Sequence, residues 1–136
     1  MKQAEIKRIF QAHMSLFDPN PIDFDSYANL WSDEAVVELP YETKGRLRRV
    51  EGKEAIVTYM RGLPNTAQNW EFSDFDFTVA ETGDTAFVEF EGKAFVPGTG
   101  RAYHQLYAIK IRVENGKLIF YREYRDSQAI LDAFVP

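Results

Sequence analysis

The sequence predicts an α+β domain in which helices come first and antiparallel strands follow. In the first half of the chain, apolar residues recur at three- and four-residue steps, which is the period of an amphipathic helix. From Trp70 onward, apolar and polar residues alternate instead, which is the period of a half-buried β-strand. Helices that precede a run of antiparallel strands are typical of folds whose helices cover one face of a sheet.

Three helices are expected before the sheet, over Lys2–Phe17, Phe24–Trp31 and Gly52–Leu63. The first should end at the stretch 18–21 (DPNP), because proline has no amide donor and restrains the residue before it. Asp23 stands before the second helix, where its carboxylate is a preferred cap. Each helix carries apolar residues on one side, so each is expected to pack against the sheet.

Strands are expected in both halves of the chain. A first strand covers Ala35–Pro40, and Tyr41–Glu51 is a loop or short hairpin. Its three arginines are either solvated or placed to attract an acidic ligand. Later, turn residues divide the alternating half into about four long strands before a final short helix. These elements are a strand from Trp70, the strands Thr85–Val96, Arg101–Val113 and Lys117–Arg125, and the helix Ser127–Phe134.

The last hairpin, Arg112–Asp126, carries the densest group of chemically active side chains. Its Glu-Asn-Gly turn is a strong hairpin signal, because Asn and Gly tolerate the positive φ angles of tight turns. The strand that follows ends in the sequence YREYRD, which holds more functional groups than strand pairing needs. We therefore expect Glu123 to face a pocket.

Strict alternation sorts the long strands into two faces. Neither face is plainly polar, so we expect helices over a cavity on the first and a second copy of the chain on the other. One β-bulge would invert part of this assignment. The first face would hold Phe87, Glu89, Glu91, Tyr103, Gln105, Tyr107, Ile109, Ile111, Ile119, Tyr121 and Glu123. The other would hold Ala86, Val88, Phe90, His104, Leu106, Ala108, Lys110, Arg112, Leu118, Phe120, Arg122 and Tyr124.

Composition argues against several classes of function. The 136 residues fit one domain over 1–136, and the net charge of −5 argues against nucleic acid or a membrane surface as the main partner. Cysteine is absent and the two histidines lie far apart, so no metal site is expected. No cofactor is expected either. We find no pattern of a signal peptide or membrane span, which favours a cytoplasmic location. The aromatic content of 15% would suit a cavity walled by rings.

Five motifs are spread over nearly the whole chain. They are Asp33-Glu34-Ala35-Val36 with Pro40, Val50-Glu51-Gly52-Lys53-Glu54-Ala55-Ile56, Gly100-Arg101-Ala102-Tyr103, Glu114-Asn115-Gly116-Lys117-Leu118 and Tyr121-Arg122-Glu123-Tyr124. Their order resembles the SnoaL-like, or nuclear transport factor two-like, superfamily, and the stretch 69–98 and the last motif particularly resemble its phenazine-biosynthesis A/B-type branch. The resemblance implies a cone-shaped domain with N-terminal helices packed on one face of a curved antiparallel sheet.

The resemblance also points to individual residues. Glu123 stands where the phenazine branch has a functional glutamate and limonene epoxide hydrolase has a catalytic aspartate. His13 falls near a tyrosine in the first helix of ketosteroid isomerase. Glu89 and Glu91 fall near an arginine and aspartate pair of the epoxide hydrolase, although both are acidic here.

Two positions depart from the family patterns. Leu39 stands about where the isomerase has its catalytic aspartate, with Glu38 beside it. The functional histidine of the phenazine branch would fall near Tyr59 or Met60, where this sequence has none. The resemblance therefore supports the fold more strongly than any single reaction.

Each catalytic candidate has a structural alternative. A Glu123 carboxylate among aromatic rings would be desolvated and able to exchange a proton near neutral pH. It would otherwise form a structural salt bridge with Arg125 or Arg101. His13 either faces the ligand or is a hydrogen-bonded core histidine, and Glu89 is either catalytic or part of a salt bridge at the rim.

The leading prediction is an enzyme that performs cofactor-free acid/base chemistry, such as cyclisation, isomerisation or condensation, on a small apolar or aromatic ligand. The expected catalytic residues are Glu123, His13 and Glu89, and the expected ligand-binding residues are Tyr27, Trp31, Glu38, Tyr59, Glu91, Gln105, Tyr107 and Tyr121. The expected partners are the ligand and a second copy bound through the outer sheet face. The alternatives are a non-catalytic ligand-binding protein and a dimeric interaction module.

Overall fold

The helices lie close to where the apolar period predicts them. The computed structural model describes residues 2–20 and 23–136. Met1, Pro21 and Ile22 of the predicted domain lie outside the described residues, and Pro21 is the last residue of the predicted proline break. A 3₁₀ turn follows the first helix and another follows the third. The helices are α1 (Lys2–Met14), α2 (Phe24–Ala28), α3 (Lys53–Gly62) and α4 (Ser127–Phe134).

Helix α2 is shorter than predicted, because the sheet takes the residues that follow it. The Asp23 carboxylate caps α2 as expected and accepts hydrogen bonds from two amides of the first turn at 3.4 and 3.3 Å. The helix ends at Ala28, and the amide of Leu118 donates to the carbonyl of Leu30 at 2.7 Å. Trp31 therefore begins a strand instead of closing a helix.

The strands form one mixed sheet with the order β2-β1-β6-β5-β4-β3. They are β1 (Trp31–Glu38), β2 (Arg49–Glu51), β3 (Gln68–Val79), β4 (Thr85–Val96), β5 (Arg101–Glu114) and β6 (Lys117–Arg125). Strand β1 runs parallel to β6 and every other neighbouring pair is antiparallel, which corrects the prediction of a wholly antiparallel sheet. The parallel pair brings the carboxyl ends of β1 and β6 to the same end of the sheet.

The hairpin of β4 and β5 inverts the predicted faces of β4. Its connection, Pro97–Gly100, has four residues, so each residue of β4 pairs with a β5 residue of opposite parity. Phe90 therefore lies opposite Tyr107 on the inner face and is 4% exposed. Glu89 and Glu91 lie on the outer face, whereas the sequence prediction assumed equal parity and placed both inside.

A register shift in the last hairpin turns Glu123 inward. Strands β5 and β6 pair in one register next to the turn and in another from the Arg112–Phe120 pair away from the turn. This shift leaves Ile119 as an extra residue in β6. Beyond this bulge, Glu123 lies opposite Ile109, which is buried on the inner face. Leu118, which precedes the bulge, is buried as well, although alternation predicts it on the outer face.

Two apolar clusters fill the space between the helices and the sheet. The larger joins α1, α3 and the inner face of the sheet around the fully buried Phe10 and Trp31. The smaller lies around Val96, Tyr103 and Ile130, where α4 meets β5. The predicted α+β architecture, with helices on one face of a curved sheet, is confirmed. No helix in the described part of the chain is long and apolar enough to cross a membrane.

Candidate functional site

A cavity of about 310 Å³ lies where the two apolar clusters meet. Rings form much of its wall, and the exposed side chains of Arg46 and Leu47, in the loop between β1 and β2, border it on the solvent side. A ring-lined cavity with a few polar groups is the usual form of a small-molecule site. The rings belong to Phe17, Tyr59, Trp70, Phe72, Phe90, Tyr103, Tyr107, Tyr121 and Phe134, and the charged side chains are Glu42, Arg46, Glu123 and Arg125.

The charged side chains meet at Arg125. Its Nη2 donates to Oε2 of Glu42, and its Nε lies 3.3 Å from Oε2 of Glu123. The hydroxyl of Tyr121 donates to the other oxygen of Glu123 at 2.9 Å. Glu42 and Glu123 are 6% and 9% exposed, so Arg125 compensates two buried carboxylates. Burial lowers the pKa of Arg125, but the two carboxylates outweigh burial and hold this pKa above its usual value.

The salt bridge that the sequence offered as an alternative role for Glu123 is therefore present with Arg125. The other proposed partner, Arg101, instead donates to the main-chain carbonyls of Asp132 and Val135. An ion pair and a catalytic role are compatible, because each carboxylate oxygen keeps a lone pair beyond its contact with Arg125 or Tyr121. Glu123 consequently sits in the cavity wall as an oriented, charge-paired side chain.

The parallel pairing of β1 with β6 assembles this cluster. Glu42 follows the end of β1 and Arg125 ends β6, so both lie at the same end of the sheet. Nη2 of Arg48 donates to the carbonyl of Glu42 at 3.2 Å, and the amide of Thr43 donates to Oε1 of Glu42 at 2.9 Å. Sequence reasoning missed Glu42, because its signal is a long-range strand pairing that no local period or turn reveals.

His13 lines the cavity as a neutral ring. Its Nδ1 lies 2.8 Å from the hydroxyl of Tyr27, and its ring centroid lies 5.1 Å from that of Tyr121. Burial lowers the pKa of His13 from 6.5 to about 4, so the ring carries no charge at neutral pH. His13 is thus a hydrogen-bonded core histidine that also reaches the cavity wall.

Two predicted ligand contacts, Tyr27 and Trp31, lie behind His13 instead. Both are fully buried, and neither belongs to the cavity wall. The ring of Trp31 packs edge-on against His13 with centroids 6.0 Å apart, and within the described residues its buried Nε1 has no hydrogen-bond partner. Burial raises the pKa of Tyr27, so its hydroxyl keeps its proton and fixes the orientation of His13.

Gln105 faces inward as predicted, but its amide is already used by the protein. Its Nε2 donates to the hydroxyl of Tyr103 and to the carbonyl of Asp126, both at 2.9 Å. Its Oε1 accepts from the amide of Leu106 at 3.0 Å and from the amide of Asp126 at 2.8 Å. Gln105 therefore ties β5 to the start of α4, and it does not line the cavity in which it was predicted to hold a ligand oxygen.

Three predicted site residues, Glu38, Glu89 and Glu91, lie on the outer face of the sheet. Glu38 accepts hydrogen bonds from Nε of Arg122 and Nη1 of Arg49, each at 2.8 Å. Glu89 and Glu91 lie outside because the four-residue connection after β4 sets the parity of its pairing. None of the three lines the cavity. The structure therefore places them away from the cavity, although the sequence predicts a catalytic role for Glu89 and ligand-binding roles for Glu38 and Glu91.

Three predicted tyrosines, Tyr59, Tyr107 and Tyr121, do line the cavity. Burial raises the pKa of each, to about 12 for Tyr59, so their hydroxyls keep their protons and can donate hydrogen bonds. Gly92 makes room for one of them, since a Cβ at this position would lie 2.7 Å from Cε2 of Tyr107. Sequence reasoning missed this role, because a glycine inside a strand does not show which ring lies above it.

Relatives match most of the chain. The family model of the SnoaL-like domain matches residues 9–121. The uncharacterized Bacillus subtilis protein YesE is 31% identical over 133 residues, which make up 98% of this chain and 87% of YesE. An uncharacterized PhzA/B-like protein of Pseudomonas aeruginosa is 30% identical over 111 residues, which make up 82% of this chain and 78% of that protein.

Solved structures match as well. A Bacillus subtilis protein that carries a provisional isomerase assignment superimposes with a TM-score of 0.80 at 30% identity, covering 98% of this chain and 92% of that one. Solved proteins of the nuclear transport factor two-like type with lower sequence identity have the same fold. The resemblance that the sequence motifs predict is confirmed.

Proposed function

Since the chain belongs to the SnoaL-like domain family, we propose that its cavity carries out cofactor-free proton transfer on a small apolar or aromatic ligand. The observation that carries this proposal is the buried carboxylate of Glu123 in the wall of a ring-lined cavity. Cyclisation, isomerisation and condensation all need a base that removes a proton beside a carbonyl or from an attacking group. A buried carboxylate that is held in one orientation suits this task.

Glu123 would be the base. Tyr121 and Arg125 each engage one of its oxygens, and each carboxylate oxygen has a further lone pair that a ligand proton can reach. The protonated hydroxyl of Tyr59 and the neutral ring of His13 also line the cavity and would hold an oxygen of the ligand. These groups would stabilise the charge that develops on that oxygen when the proton leaves.

The proposal is tested by Glu123→Gln. Planar carbonyl compounds are first screened by thermal shift with the unchanged protein, and binders are checked for product by mass spectrometry. We expect the substitution to lower turnover by a factor on the order of 10² to 10⁴, because Gln cannot accept the proton. The melting temperature should stay nearly unchanged, because Gln keeps the size of the side chain and Arg125 keeps Glu42 as its partner.

Glu71→Gln is the matched control, because Glu71 is an exposed residue of the edge strand β3 and does not line the cavity. It makes the same chemical change away from the cavity and should leave turnover intact. Unchanged turnover in Glu123→Gln together with a large loss of stability would overturn the proposal. That outcome would leave Glu123 as a structural partner of Arg125.

A second candidate function is ligand binding without chemistry in the same cavity. It is favoured by the engagement of both Glu123 oxygens by Tyr121 and Arg125, an arrangement that also suits a purely structural carboxylate. This candidate predicts saturable binding of an aromatic compound without product formation. Isothermal titration with product analysis on the same samples separates the two candidates.

We also propose that a second copy of the chain covers the outer face of the sheet. This face exposes Phe87, Phe95 and Leu106, which are 37%, 39% and 62% accessible. The sequence prediction also placed Val88 and Phe90 there, but both are buried on the inner face. The interface would therefore depend on Phe87, Phe95 and Leu106. In an isologous interface, the apolar patch of each copy would be buried against that of the other.

Charge on the outer face also fits a second copy. Strand β4 presents Glu89 and Glu91 there, and β5 presents Lys110 and Arg112, so a two-fold axis can place opposite charges together. Leu106→Asp should turn a dimer into a monomer, measured by light scattering coupled to gel filtration. If the protein without substitutions is a monomer at micromolar concentration, the proposed interface is wrong.

A further inference from the structure

The charges around the cavity carry information about the class of ligand. Arg125 is the buried cation of the wall, since its side chain is 15% exposed, and it is shared between two carboxylates. One guanidinium between Glu42 and Glu123 leaves this part of the wall with an excess of negative charge. A ligand that approaches Arg125 therefore meets two carboxylates as well.

The other candidate cations do not reverse this balance. Arg46 lies 3.9 Å from Glu42, but its side chain is 59% exposed, so water and salt screen its charge. His13 carries no charge at neutral pH, because burial lowers its pKa to about 4. An anionic group on a ligand would consequently leave water without gaining a buried cation of its own.

Hydrogen-bonding capacity shows the same bias. The Tyr121 hydroxyl donates to Glu123, and the Nη2 group of Arg125 donates to Glu42. The two carboxylates still have lone pairs, because each of their oxygens accepts more than one hydrogen bond. Around Glu42 and Glu123, the cavity thus offers acceptors to a ligand, while the Tyr121 hydroxyl and Nη2 of Arg125 are already engaged.

We infer that the cavity takes aromatic ligands that present a hydrogen-bond donor, either neutral or cationic, and discriminates against aromatic carboxylates of the same size. The inference rests on the proposed ligand-binding role of the cavity and specifies the class of compound that would fill it. It does not depend on whether Glu123 transfers a proton, because it concerns binding alone.

The test is a series of naphthalene compounds that carry different groups at the same ring position. Naphthylmethylamine is cationic, naphthol is a neutral donor, methoxynaphthalene has no donor and naphthoate is anionic. Dissociation constants are measured by isothermal titration at neutral pH with the unchanged protein. We expect the amine to bind more tightly than naphthoate by about tenfold or more, and naphthol more tightly than methoxynaphthalene.

Glu42→Gln tests the physical cause. It removes one of the two carboxylates that share Arg125, so the affinity ratio of amine to naphthoate should fall by about tenfold. Glu71→Gln makes the same change of net charge at an exposed side chain of β3 that does not line the cavity, and its affinity ratio should equal that of the protein without substitutions. Each ratio is taken within one protein, so a loss of stability in Glu42→Gln does not obscure it.

Equal affinities for the amine and naphthoate, or tighter binding of naphthoate, would overturn the inference and leave the proposed function intact. A ratio that does not change in Glu42→Gln would overturn the stated cause. Absence of saturable binding by all four compounds would overturn the inference together with the ligand-binding role on which it rests. Loss of turnover in Glu123→Gln remains a separate test of catalysis.

Discussion

Strand β4 presents phenylalanines to both sides of the sheet, and the side chains of Phe90 and Phe95 have different surroundings. On the inner face, the Phe90 ring stacks on Tyr107 and Phe75 with centroids 4.9 and 4.8 Å away. It also meets the rings of Phe10 and Phe72 edge-on. On the outer face, Phe95 is 39% exposed.

The difference teaches that residue type says little about role in this sheet. Both faces carry aromatic and acidic residues, but helices enclose one of them and surround a cavity with it. A carboxylate on the inner face, such as Glu123, is charge-paired and oriented, whereas Glu89 on the outer face is exposed. The side of the sheet decides whether an acidic residue can serve the cavity.

The largest expected effect is on stability, and it compares Phe90→Ala with Phe95→Ala. Phe90→Ala should lower the free energy of unfolding by about 3–5 kcal/mol, because it removes a buried ring from a packed cluster. Phe95→Ala should cost less than about 1 kcal/mol. Urea unfolding measures both. Similar losses would mean that the outer face is as tightly covered as the inner one, and a loss in Phe95→Ala that depends on protein concentration would identify a second copy as the cover.

A second comparison uses the two histidines and pH. Above pH 6.5, His13 is neutral in both the folded and the unfolded chain, so its contribution to stability is fully present there. As the pH falls from 6.5 to about 4, the unfolded chain binds a proton that the folded chain does not. Stability should therefore fall across this window by an amount on the order of 3 kcal/mol from His13 alone.

His13→Asn should flatten the slope of unfolding free energy against pH in that window. The Asn side chain has no proton to gain there but still reaches towards Tyr27. His104→Asn is the control, because His104 is 56% exposed on the outer face, and the slope should stay unchanged. Chemical denaturation at a series of pH values gives the three slopes. Equal slopes for His13→Asn and the unchanged protein would contradict a buried, neutral His13.

The smallest expected effect is that of Glu91→Gln. Glu91 lies 3.8 Å from His104, and both side chains are partly exposed, so the pair should contribute less than about 0.5 kcal/mol to stability. Affinity for any cavity ligand should stay the same, because Glu91 lies on the other side of the sheet. Titration with the naphthalene series checks this. A marked loss of affinity would restore the ligand-binding role that the sequence predicts for Glu91.

The sequence by itself determined the elements that depend on local chemistry. The bounds Thr85–Val96, Lys117–Arg125 and Ser127–Phe134 agree with prediction, because period and turn signals act over a few residues. Asn115 and Gly116 adopt φ angles of 53° and 75°, as their residue types predict for a tight turn. The position of Glu123 on the inner face was also predicted, although strict alternation did not foresee the bulge at Ile119 that places it there.

The tertiary structure alone decided which side chains meet. The four-residue connection between β4 and β5 fixes which residues of the two strands pair. As a result, Glu89 and Glu91 lie on the outer face and Phe90 lies on the inner face. Parallel pairing of β1 with β6 places Glu42 beside Arg125. No sequence motif predicts the resulting cluster of two carboxylates around one arginine. Pairings of this kind depend on the relative energies of whole strand arrangements, whereas the patterns in a sequence report only the preferences of neighbouring residues.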